Sequence, residues 1–144
     1  MAVTVKRVYD SPTRADGRRV LVDRPWPRGL SRECASVDAW LRELAPSAEL
    51  RQWFHARPAL WPTFRKRYLK ELADPKANSA LDRLHRLADQ SRRLTLLFAA
   101  EDYEHNNAVI LRDLLEGMRK PPTGTGPAGA RALSGRQVKR MPRR

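Results

Sequence analysis

LTLLFAA, residues 94–100, carries one polar side chain in seven and is too short for an ordinary helix. A continuous apolar run of this length is what a strand buried on both faces of a parallel sheet looks like. RVLVD, residues 19–23, is a second run of the same kind, and VTVKRVY, residues 3–9, alternates as a third strand segment. Only helical signals lie between the second run and LTLLFAA. Two strands separated by helices need a crossover, and crossovers join parallel strands. RVLVD and LTLLFAA are therefore predicted to be parallel neighbours. The link DSPTRADGR (10–18) is short for a crossover, so the direction of the first strand stays open.

The helical signals can be placed by spacing. Val37, Trp40, Leu41 and Leu44 fall at i, i+3, i+4 and i+7, predicting a helix capped by Ser36. Pro46 ends it, and a short second helix follows, capped by Ser47, with Leu50, Trp53 and Phe54 inward. Trp61, Phe64, Tyr68 and Leu72 share one face of a third. Asp74 and Pro75 open a fourth as N-cap and first residue, with Leu81, Leu84, Leu87 and Ala88 on one side. A fifth is predicted from about Tyr103 to Gly117, where glycine stops it. The fold class is α/β: a small, mostly parallel sheet of about three strands covered by five or so helices in three layers.

With 144 residues the chain suits one hydrophobic core, predicted over 1–118. Its net charge of +13 is concentrated at one end. Of 29 Lys and Arg, eight fall in 119–144, which holds no Asp or Glu; positions 1–118 keep 21 basic and 16 acidic residues, a net of +5. Rich in Gly, Pro and Ala, 119–144 is expected to be a disordered basic tail. No run approaches the roughly 18 apolar residues of a membrane helix, and the first ten residues lack a secretory signal's apolar stretch. A cytoplasmic protein without membrane contact is the expectation. Cys34 is the lone cysteine, which excludes an intrachain disulfide and a cysteine-based zinc site. His55, His85 and His105 lie on different predicted helices with no paired ligand spacing, so no metal site is expected.

In open α/β sheets ligands sit beyond the carboxyl ends of the strands. That rule brings DRPWPRG (23–29) beside EDYEHNN (101–107), and Asp23, Arg24, Trp26 and Arg28 opposite Asp102, His105 and Asn106. Guanidiniums and a helix amino end suit a phosphate or carboxylate, so a small anionic ligand is the leading expectation. Glu101, Asp102 and Glu104 offer the competing arrangement, an ion-pair network with Arg24 and Arg28 that locks the two loops. His105 is a candidate acid/base oriented by Asp102. Trp26, bracketed by Pro25 and Pro27, either plugs the core edge or makes a stacking wall. Ser47 is a further candidate from the crossover helices. The other function class is a nucleic-acid-binding module whose residues 119–144, with the arginine-rich loop, neutralise backbone phosphates. No cofactor and no oligomeric state can be named from these residues.

RVLVDRPWPRGLS, DAWLRELAPSAELRQWF, WPTFRKRYLKEL and LTLLFAAEDYEHNNAVILRDLL together resemble the YeaO-like bacterial proteins of domain-of-unknown-function family 488, over about residues 3–117. The resemblance implies a compact three-layer α/β domain in the cytosol. It implies family-typical positions at Asp23, Arg24, Trp26, Pro27, Arg28 and Gly29, at Asp102, His105 and Asn106, and at Ala45 to Ser47. Longer relatives carry cysteines where this chain has Phe98 and Asn106, so thiol chemistry proposed for them does not transfer. Pro25 stands where the family usually has Leu or a similar residue, and the basic tail is an addition.

Overall fold

The apolar run at 94–100 is the centre of the sheet. In the computed structural model, which describes residues 2–119, it supplies β4 (Arg93–Phe98), flanked by β1 (Ala2–Arg7) and β2 (Arg18–Leu21). A two-residue edge strand, β3 (Ala39–Trp40), completes the order β1-β4-β2-β3, and all pairings are parallel. The sheet thus has four strands where about three were predicted, and the first strand, whose direction was open, runs parallel at the outer edge of β4. Because β4 is central, Leu94, Leu96 and Phe98 face one core while Leu97 faces another.

The main core lies under α2 (Ala48–Ala56), α3 (Trp61–Leu72), α4 (Pro75–Gln90) and α5 (Asn107–Arg119). α2 and α4 start with the capping chemistry read from the sequence: the Ser47 hydroxyl accepts the Leu50 amide at 3.1 Å, and Asp74 precedes Pro75 and accepts the Lys76 amide at 3.2 Å. The opposite layer is thinner. It consists of the β1–β2 crossover, α1 (Arg32–Ala35) and the loop after β2, with Val8, Leu21, Ala35 and Leu97 buried beneath.

That crossover is fastened by Asp16, which is 5% exposed. Its carboxylate lies 3.0 Å from Lys6 Nζ and 2.6 Å from Arg19 Nη1, and it also accepts from the amide and hydroxyl of Thr13. Burial alone raises its pKa, yet the Thr13 amide, Lys6, the Thr13 hydroxyl and Arg19 together bring it to about 2. Gly17 follows with φ +63°, and a Cβ there would stand 2.3 Å from the Arg93 carbonyl oxygen, so the turn into β2 requires glycine.

Two predicted helices need correction. No single helix carries Val37, Trp40, Leu41 and Leu44. Ser36 closes α1 in the left-handed region at φ 50°, and the chain then runs along the edge of β2, where Asp38 N–H reaches the Arg19 carbonyl and Leu41 N–H the Leu21 carbonyl. Pairing satisfies the backbone groups of the β2 edge, and it sends Val37 and Trp40 to one core and Leu41 and Leu44 to the other. The last helix begins at Asn107 rather than near Tyr103, because the Asn106 side chain caps it by accepting the Val109 amide at 3.0 Å. Gly117 does not stop it, as α5 continues to Arg119. The expectation of a disordered tail otherwise falls on 120–144, outside the described residues. Among the described residues no helix is long and apolar enough to cross a membrane.

Candidate functional site

The carboxyl ends of β2 and β4 open into a cleft of about 760 Å³, within the size range of small-ligand sites. Asp23, just past β2, and Ala99, just past β4, form its floor. Asp102, His105, Asn106 and Asn107 border it on the α5 side, and Pro46, Phe54, Pro58 and Phe64 supply apolar wall. The cleft lies where the strand-end rule put it.

Four predicted residues line it. Asp23 is 6% exposed, and its Oδ2 accepts the Ala99 amide at 3.0 Å. Burial raises the Asp23 carboxyl above the ordinary carboxylate range, against the Ala99 amide, the Arg51 charge and the Arg24 amide, which pull it down. Asp102 accepts the amides of Glu104 at 2.8 Å and His105 at 3.0 Å, and these hold it below the ordinary range. Its carboxylate thus organises the turn rather than the imidazole. The His105 ring instead stacks on Trp61, with centroids 4.6 Å apart and planes 13° from parallel. Asn106 is buried, spanning from the Asp102 carbonyl to the Val109 amide.

Arg24, Trp26, Arg28 and Ser47 do not line the cleft. Arg24 contributes its carbonyl, which accepts the Arg51 guanidinium. Trp26 is the plug, not a wall: its Nε1 donates to the Leu30 carbonyl at 2.7 Å, and its ring meets Trp40 edge-on with centroids 5.3 Å apart. Both rings lie under the Arg32 guanidinium. Arg28 is exposed, and its carbonyl accepts the Tyr9 hydroxyl at 3.1 Å. Ser47 gives its hydroxyl to Glu71 at 2.6 Å while capping α2. The ion-pair lock is also absent: among the described residues neither Arg24 nor Arg28 is paired with Glu101, Asp102 or Glu104. Trp26 packs, half-buried, against the second core beside Leu30 and Trp40 instead of facing the cleft.

Helix α2 lines the cleft as well as the strand-end loops. Ala48, Arg51, Gln52 and His55 line the cleft at i, i+3, i+4 and i+7, a stripe beside the core residues Leu50 and Phe54. That spacing is present in the sequence, on the face of the helix next to its apolar stripe. Beneath the floor, Asn107 Nδ2 donates to the Val22 carbonyl at 2.8 Å, and the buried Tyr68 hydroxyl donates to the Leu44 carbonyl at 2.5 Å. Burial pushes the Tyr68 hydroxyl well above its ordinary range, so it stays protonated. Among the described residues no group of three or more His, Cys, Asp and Glu is placed to hold a metal ion.

Comparison with known proteins bears on which family built this cleft. The chain is 41% identical over 120 residues to the uncharacterized protein YeaO of Escherichia coli, covering 82% of this chain and all of that protein. It is 39% identical over 115 residues to the uncharacterized protein Rv3073c of Mycobacterium tuberculosis, covering 80% of this chain and 94% of that protein. No solved structure matches significantly. A family model described as the inactive DUF488-N3 subclade matches residues 2–128. The chain belongs to that subclade, among the YeaO-like proteins of the DUF488 family.

Proposed function

We propose that this chain is a cytoplasmic binding domain that takes a small anionic ligand into the cleft between the β2 and β4 loop ends, without turning it over. The carrying observation is the cleft itself, lined by Arg51 and His55 from α2, by Asn106 and Asn107 at the amino end of α5, and by the rings of Phe54 and Phe64. Arg51 takes the anion-holding part that the sequence assigned to Arg24 and Arg28, since guanidinium and first-turn amides both favour an anion. Binding without turnover accords with the family's description as inactive and with an Asp102 that serves the turn amides rather than the His105 ring. Inorganic phosphate titrated into the ¹⁵N-labelled protein should shift the amides of Ala99, Asn106 and Asn107. Arg51→Met should abolish those shifts at an unchanged melting temperature. Shifts that avoid these three amides, or that survive the substitution, reject the reading.

A second reading, contact with nucleic-acid phosphates through 119–144, is favoured by that segment's eight basic and no acidic residues. Deleting 120–144 should then remove salt-sensitive RNA binding; retention of it excludes the reading.

A further inference from the structure

Asp23 is a buried acid that makes no ion pair among the described residues. It is 6% exposed, and its carboxylate accepts the backbone amides of Ala99 and Arg24. Arg51, the neighbouring cation, gives its Nη1 to the Arg24 carbonyl instead. A carboxylate removed from water without a partner is unfavourable. Elsewhere this fold does not leave one so: Asp16, equally buried, has both Lys6 and Arg19. An ionised carboxylate offers about four acceptor sites, of which the Ala99 and Arg24 amides take two. Asp23 borders the cleft, so what it lacks can come from there.

The chemistry of the missing partner follows from the walls. A pair of parallel N–H donors matches the two carboxylate oxygens, and a planar group carrying them is weakly hydrated, unlike a compact ammonium. Phe54 and Phe64, stacked with centroids 4.4 Å apart, border the same space and favour a flat, partly apolar group. We infer that the ligand presents a planar pair of N–H donors to Asp23, of the kind carried by a guanine edge or a guanidinium group. This rests on the small-ligand reading above and adds a second end to the ligand: its anionic group lies toward Arg51, its donor edge toward Asp23.

Calorimetry on the full chain with two matched pairs of probes tests the inference. Guanosine 5′-monophosphate against inosine 5′-monophosphate asks whether the donor pair is a guanine edge, since the latter lacks the exocyclic amino group. L-arginine against L-citrulline asks whether it is a guanidinium, since citrulline carries a neutral urea. The wild-type protein should prefer the first member of one pair by at least about tenfold. Asp23→Asn, which keeps an acceptor for the Ala99 amide, should erase that preference. The pair that discriminates identifies the source. The wild-type comparison stands even if the variant folds poorly. Binding without preference that is still lost in Arg51→Met overturns the donor edge and leaves the small-ligand reading intact. No binding of any probe, with inorganic phosphate also silent at Ala99, Asn106 and Asn107, overturns both.

Discussion

Asp16 and Asp23 are both about 95% buried, one before and one after β2, and the surroundings of each carboxylate differ in kind. Around Asp16 two cations, an amide and a hydroxyl converge, so the charged form belongs to the fold and the crossover is fastened by it. Around Asp23 two backbone amides donate and no cation comes within ion-pair distance among the described residues, and the carboxylate borders the cleft. Burial by itself therefore does not distinguish a structural acid from a binding one. The inventory of partners does, because a fold that needs a buried charge also supplies its counter-charge.

The largest test of this contrast is Asp16→Ala, which strands Arg19, itself 3% exposed, without its acid. A loss of about 3 kcal/mol in urea unfolding is expected. The pH dependence should agree. Asp16 titrates at about 2 in the fold against an ordinary 3.8, so its stabilisation is complete above the ordinary value and disappears as pH falls toward 2. Asp23 has the opposite sign, because its folded value lies above 3.8. Its ionisation opposes folding at neutral pH, and that cost vanishes as pH falls below its folded value toward 3.8. Asp23→Asn should accordingly stabilise the ligand-free protein by about 1 kcal/mol at pH 7, with the gain fading in acid. A destabilisation at pH 7 would show Asp23 to be a second structural acid. The smallest effect belongs to Arg28→Ala, where an exposed side chain is removed and only the retained carbonyl is bonded. Thermal unfolding should change by less than about 0.5 kcal/mol. A larger loss would restore the ion-pair lock between the loops.

The sheet was legible because its central strand has no polar face, and the caps at Ser47 and Asp74 were legible because capping is local. The 37–44 stripe misled for the opposite reason. Helical spacing is a statement about side chains, whereas the segment's backbone is claimed by the edge of β2, a partner some twenty residues earlier in the chain. Asp102 and Asn106 were found as site residues, but their work as turn and cap acceptors became visible only with the start of α5 in place.

What the amino-acid order determined alone is the α/β class, the parallel neighbours β2 and β4, the capped starts of α2 and α4 and the end of the sheet at which the cleft opens, because each depends on local periodicity or on a rule of chain connection. Tertiary structure decided which side chains reach that cleft. The loop after β2 packs Trp26, half-buried, against the second core and leaves Arg28 exposed, while α2 brings Arg51 and His55 to the cleft. The direction of a loop side chain is set by where the neighbouring aromatic ring finds its hydrophobic cover, and that cover is assembled from residues distant in sequence.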